Sequence, residues 1–335
     1  ADTAILSAMY TVPDRAFEQL RERFAQPSAP QQPEQEQQET KPPLSPPQTQ
    51  EEQPPPAKTQ PSPKLVEIPE EYRGTVVEED LAAAGSSLCF GSGKIKNATA
   101  LSEQQVQEYL AQPQPFLLDR QGPQVLIMHT HATESFEPYD SEVYDTRHTW
   151  RSTDNSENIV AAGEVMAQAI RAHGIKVLHD DTQHDYPSYN GSYERSAETV
   201  KEYLAKYPSI KVVLDVHRDA VQRDSTLVKP VTQINGKKAA QMMIIAGCDD
   251  GTMEMPNWGK NLRFAAGIQD AIESRWKGLT RPIFFCYRKY NQDLTTGSLL
   301  LELGSHGNTL EQVLTTAQLA GDAIGNYLAQ ECMAE

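Results

Sequence analysis

From Val125 onward the chain alternates short apolar runs with amphipathic helical stretches, and that alternation restricts it to few folds. Val125-Leu-Ile-Met128, Ile175-Lys-Val-Leu178, Val212-Val-Leu-Asp-Val216, Gln241-Met-Met-Ile-Ile-Ala246 and Ser298-Leu-Leu-Leu-Glu-Leu303 read as strands. Between them, Glu157 to His173 (closed by Gly174), Tyr193 to Tyr207, Asn257 to Trp276 and Thr309 to Ala329 read as helices. Strands and helices in alternation imply a mostly parallel sheet with helices on both faces. The expectation is a three-layer α/β/α sandwich over residues 115–332.

Upstream the pattern changes. Leu101 to Leu110 carries apolar residues at helical spacing, and residues 65–114 read as a small N-terminal subdomain or extension. Apolar residues make up only 38% of the chain, below the roughly 45–50% of a typical globular protein. Much of that deficit lies between Gln26 and Lys64, which hold 12 of the 23 prolines and ten glutamines. Such a tract cannot bury enough apolar surface to offset its conformational entropy, so residues 26–64 read as a disordered, semi-rigid linker. Residues 1–25 read as a short N-terminal segment, either the remnant of a removed leader or anchor or a plain sequence boundary.

Several function classes are disfavoured. The formal charge is −16 and no Lys/Arg run exists, so a nucleic-acid partner is not expected. No stretch approaches 18 consecutive apolar residues. Cys89, Cys248, Cys286 and Cys332 form no C-x-x-C pair, which favours mostly free, buried thiols over a structural zinc or redox motif. There is no G-x-S-x-G elbow and no H-E-x-x-H helix. Gly91-Ser-Gly93-Lys94 lacks the spacing and following helix of a phosphate loop.

What remains is a set of strand ends rich in ligand-type side chains. One strand runs into His129-Thr-His131-Ala-Thr-Glu134, a second into Asp215-Val-His217-Arg218-Asp219, and a third carries Glu302 among leucines. Open α/β sheets build their sites beyond the carboxyl ends of strands, so neighbouring parallel strands would bring these together. His131, Glu134 and His217 then form a two-histidine, one-carboxylate set with a position left for water, the arrangement of a catalytic Zn2+. Glu302 would be the general base and Asp215 would orient a histidine. His129 competes with His131, because along an extended segment both would point the same way. Glu157, at the start of the next helix, competes with Glu134. His179 and His184, near Asp180, Asp181 and Asp185, read as a solvated rim. A zinc carboxypeptidase-like peptidase and a non-catalytic wall-binding scaffold are the alternatives.

The strings VLIMHTHATESFEPY, PSYNGSYERSAETVKEYL, SIKVVLDVHRDA, PNWGKNLRFA, RKYNQDL and LLLELGSHGNTLEQ follow one another from about residue 90 to 330. This series resembles the stage II sporulation protein P family. The resemblance implies an amidase/zinc-exopeptidase-like fold and a zinc-dependent peptidoglycan hydrolase. Such an enzyme cuts between N-acetylmuramic acid and the L-alanine of the stem peptide, with endopeptidase activity in many members. It further implies action in forespore engulfment beside a lytic transglycosylase, stage II sporulation protein D, and a membrane protein, stage II sporulation protein M. An N-terminal membrane anchor is usual in the family and is absent here, so an extracytoplasmic enzyme tethered by the Pro/Gln tract is expected. By motif, HTHATE supplies His131 and Glu134, DVHRDA supplies His217, and LELG supplies Glu302. Related amidases take their carboxylate from the start of the following helix, where Glu157 sits, so both stay candidates. Arg195 and Arg218 are expected partners for substrate carboxylates, since Arg pairs with them bidentately.

Overall fold

The computed structural model describes residues 68–334; the calls on residues 1–25 and 26–64 lie outside these residues. The chain order is β1 (Arg73–Glu79), β2 (Leu88–Phe90), β3 (Gly93–Asn97), α1 (Glu103–Leu110), β4 (Val125–Met128), β5 (Val143–Asp145), α2 (Ile159–Arg171), β6 (Val177–His179), α3 (Ser192–Lys206) and β7 (Val212–Asp219). It continues with β8 (Gln222–Arg223), β9 (Thr226–Ile234), β10 (Lys237–Ala240), β11 (Met242–Gly247), α4 (Trp258–Arg275), β12 (Ile283–Cys286), β13 (Gly297–Ser305) and α5 (Leu310–Glu331).

Eight strands form the main sheet in the order β2-β3-β12-β11-β13-β7-β4-β6. Only the β2–β3 and β11–β13 pairings in it are antiparallel, so it is mostly parallel and reverses sense once in the middle. On one side of that reversal β13, β7 and β4 lie side by side and run the same way, which brings the strand ends carrying residues 129–134, His217 and Glu302 to one edge.

Strand parity sorts the side chains between the faces. Val125 and Ile127 of β4, Val212, Leu214 and Val216 of β7, and Leu299, Leu301 and Leu303 of β13 join the core under α2, α4 and α5. Leu126, Met128 and Val213 point the other way, onto α3 through Val200 and Leu204. The four side chains of β4 are fully or almost fully buried, each worth roughly 1.5–3 kcal/mol against exposure. Three layers result. By the same alternation Asp215, His217 and Glu302 share the α3 face.

Helix α2 starts at Asn158, whose side chain accepts from the Val160 N–H, and its exit is turned by Gly174 at φ 79°. Helix α5 opens with a capping box, Thr309 with Gln312. It lies close against α2: a Cβ on Gly321 would stand 2.8 Å from the Met166 carbonyl oxygen.

A second sheet, β10-β9-β1-β5 with β8 on β9, was not foreseen. It inserts between β7 and β11 and recruits β1, which pairs with β9 in parallel. The described part of 65–114, read as a small subdomain or extension, therefore splits between two sheets: β1 joins the small one, while β2 and β3 extend the main one. Helix α1 leans on α4 through Tyr109 and Trp258, ring centroids 4.3 Å apart. Of the cysteines, Cys89 is exposed on β2, and Cys248, Cys286 and Cys332 are buried and free. No helix among the described residues is long and apolar enough to cross a membrane.

Candidate active site

His217 is the centre of the strand-end cluster. It sits on β7 opposite Glu302 of β13 in the parallel ladder, so both side chains leave the sheet on the α3 face. Its Nε2 lies 2.8 Å from Asp215 Oδ1, off the line of a good hydrogen bond, and its Nδ1 lies 3.6 Å from Glu134 Oε2. Asp215 is held in turn by Thr130, whose N–H and hydroxyl donate to its two oxygens at 2.8 and 2.7 Å. Burial disfavours a charged His217, but the flanking Asp215 and Glu134 carboxylates raise its pKa well above the ordinary value.

Glu134 is buried in the turn after β4. Burial alone would raise its carboxyl; the His217 contact and the nearby Arg218 hold it down to about 2. The Arg218 N–H donates to Glu134 Oε2 at 3.0 Å. The ring of His131 stands across from that of His217, centroids 5.2 Å apart and nearly perpendicular, with Ser192 Oγ 3.4 Å from His131 Nδ1. Burial and the neighbouring His217 push His131 down to about 4. Glu302 Oε2 has no hydrogen-bond partner, and burial, reinforced by the Asp219 charge, pushes its carboxyl up to about 8.

Among the described residues no three His, Cys, Asp or Glu side chains stand ready-made around one ion position. The donor chemistry nevertheless suits zinc: two imidazoles and one carboxylate, with a second carboxylate unpaired beside them. The 3.6 Å between His217 Nδ1 and Glu134 Oε2 is too long for a hydrogen bond. It is close to the separation of about 3.4 Å between two ligands of one tetrahedral zinc.

Not every expected residue joins this group. His129 shares the parity of Val125 and Ile127 and so points toward α2, where Gly163 makes room: a Cβ there would lie 2.5 Å from the ring. Its Nδ1 meets the Val216 carbonyl at 2.8 Å and its Nε2 meets His179 Nε2 at 2.9 Å. The shared direction expected for His129 and His131 fails because β4 ends at Met128 and the chain turns. Glu157 is solvent-exposed ahead of α2 and makes no side-chain contact with the cluster. The solvated rim is also overturned: His184 and Asp185 are buried, and the His179 side chain pairs with Glu164 at 2.9 Å.

Both arginines expected to meet substrate carboxylates are committed to main-chain carbonyls instead. Arg195 donates to the carbonyls of His184, Ser188 and Asn190, holding that loop closed. Arg218, 8% exposed, donates to those of Ser135, Trp150 and Asp219, pinning the Glu134 turn to the neighbouring segment.

Three residues not singled out from sequence border the cluster. Tyr189 stacks on His131 at 4.6 Å, Tyr193 packs edge-on to it at 5.4 Å, and the Arg151 guanidinium lies over Tyr189 at 5.3 Å. Arg151 Nη2 is 3.9 Å from Glu134 Oε1. Tyr193 comes from the first turn of α3, while Tyr189 and Arg151 come from loops, and no spacing rule marks the loop pair as site residues.

The fold and site define a three-layer α/β protein with a cluster of histidine and carboxylate side chains at the carboxyl ends of its neighbouring parallel strands. The profile of the Stage II sporulation protein P family matches residues 10–325, and the chain belongs to that family. Stage II sporulation protein P of Bacillus subtilis (strain 168) is 28% identical over 241 residues. That match takes in 68% of this chain, and the chain spans 56% of the length of that relative. Among solved structures, the apo N-acetylmuramyl-L-alanine amidase Ami1 of Mycobacterium abscessus is 14% identical. It aligns with a TM-score of 0.35 over 62% of this chain and 99% of its own. The CwlD amidase of Clostridioides difficile, in complex with the GerS lipoprotein, is 13% identical, with a TM-score of 0.37 over 61% and 98%. With scores this low, the fold assignment rests on the chain's own architecture.

Proposed function

We propose that this protein is a zinc-dependent peptidoglycan amidase. It would hydrolyse the bond between N-acetylmuramic acid and the L-alanine of the stem peptide, in forespore engulfment. The observation that carries the reading is the convergence of His131, Glu134 and His217 beside Glu302, whose buried Oε2 has no hydrogen-bond partner, in a member of the stage II sporulation protein P family. His131, Glu134 and His217 would hold the ion; when bound, zinc supplies a Lewis acid for the scissile carbonyl and lowers the pKa of a water.

Glu302 would take a proton from the attacking water and return it to the departing amine. Asp215 keeps the His217 ring turned toward Glu134. Neither Arg195 nor Arg218 is available to receive the free C-terminus that a carboxypeptidase needs, as both donate to main-chain carbonyls. The family resemblance supports an extracytoplasmic, membrane-anchored enzyme working with stage II sporulation proteins D and M.

The test combines metal analysis with mass spectrometry of muropeptide digests. The expected result is about one zinc per chain and free peptides beginning with L-alanine. Glu302→Ala should keep the metal and lower the rate by at least about 10²–10⁴-fold. A metal-free wild-type chain, or full activity in that variant, would overturn the reading.

A further inference from the structure

Arg151 is held where no simple surface arginine would be. The residue before it, Trp150, has φ 48°, a conformation that is a genuine outlier for a bulky side chain. Such strain persists only when the surroundings fix it, and it concentrates at working sites. Here residues 150–152 are stitched to the Glu134 turn: Ser135 N–H donates to the Trp150 carbonyl at 3.0 Å, and Ser152 N–H to the Thr133 carbonyl at 2.9 Å. Arg151 and Glu134 face each other across that short bridge.

The guanidinium is preorganised. Nη1 donates to Asp185 Oδ2 at 2.8 Å and to Thr133 Oγ1 at 3.2 Å, and the Asp185 side chain is fully buried. One face lies over Tyr189, which itself stacks on His131. Nη2 reaches 3.9 Å from Glu134 Oε1, while the side chain as a whole stays 37% exposed. A rigid cation thus opens onto the space beside His131 and Glu134, too far from Glu134 to be a plain ion pair with good hydrogen bonds.

We infer that Arg151 is a catalytic residue that receives the scissile carbonyl oxygen as negative charge develops on it. This rests on the amidase reading above. In the addition step the water oxygen bonds to the carbonyl carbon, its proton passes to Glu302, and the C=O π pair moves onto the carbonyl oxygen, facing Arg151. In the collapse the oxyanion's electron pair re-forms the C=O bond, the C–N bond breaks with its pair staying on nitrogen, and nitrogen takes the proton from Glu302. A preorganised donor aimed at such an oxygen costs no reorganisation during the reaction. Closeness to Glu134 argues against a role in gripping a carboxylate farther along the peptide.

The experiment compares the full chain with Arg151→Gln and Arg151→Lys on purified muropeptides. Alongside kinetics it measures zinc content, thermal stability and, by calorimetry, the affinity of a phosphonamidate mimic of the tetrahedral species. The expected result for Arg151→Gln is a kcat lower by about 10²–10³-fold, with the mimic weakened in parallel. KM and zinc content should stay near wild type, the melting temperature should fall because the buried Asp185 carboxylate loses its cation, and Arg151→Lys should recover part of both kcat and stability. An unchanged kcat, a loss confined to KM, or a loss that follows zinc content would overturn the inference. If the wild-type chain releases no L-alanine peptide, the amidase reading falls and takes this one with it; active wild type with active Arg151→Gln removes this one alone.

Discussion

Glu137 is a second buried carboxyl whose environment sets its protonation. It is 7% exposed, accepts from Trp150 Nε1 at 2.5 Å, and burial pushes it up to about 7 from an ordinary value of 4.5. A carboxyl raised on folding stabilises the fold below its unfolded pKa, and that contribution fades as pH rises through the folded pKa. Wild-type stability should therefore fall between about pH 4.5 and pH 7 by the share that Glu137 carries. Glu137→Gln, neutral throughout and still able to accept from Trp150, should flatten that part of the profile. Thermal melts of both proteins across this range check it, and identical slopes would dismiss the idea. Residue identity was readable where parity alone decides direction: Glu302 among leucines in β13 and His217 within β7. It was not readable for Arg195 and Arg218, whose partners are carbonyls of turns that no spacing rule announces.

At the level of elements, the strands and helices with long periodic runs lie where the sequence places them. Helix α2 begins two residues later than expected, at Ile159, and β7 runs on through His217 to Asp219. The small sheet escaped notice for a physical reason. Its strands mix polar and apolar residues, β9 carries Pro230 and the buried Lys229, and β1 finds its partner about 150 residues away. Lys229 is tolerated there because Glu78 and Asp140 both pair with it. The α2–α5 contact makes its own prediction. Gly321→Val would drive side-chain carbons into Met166 and Ala169, so α5 must move away. Overpacking of this kind costs about 1–3 kcal/mol. A lower denaturation midpoint with an intact β-sheet signal is expected, and an unaltered midpoint would show the helices can separate freely.

Across the molecule, the two sheets should differ in persistence. Strands β4, β7 and β13 lie inside the main sheet with nearly every side chain buried, whereas β8 is a two-residue exposed strand and β5 a three-residue edge. Backbone amides open most readily where contacts are few, so hydrogen exchange should be slowest in the first three and fastest in β5 and β8. Uniform protection would contradict this division. The charge is not explained by the Pro/Gln tract: residues 26–64 carry five acidic and three basic side chains, or −2, leaving −14 of −16 elsewhere.

Cys89 is the single exposed thiol, and it sits on β2 at the far end of the sheet order. Four strand steps separate β2 from β13, about 19 Å at ~4.8 Å each. On this chain a maleimide fluorophore would therefore attach at one known point, away from the end of β13 that carries Glu302. The chain carries a labelling position for single-molecule work without any engineered handle.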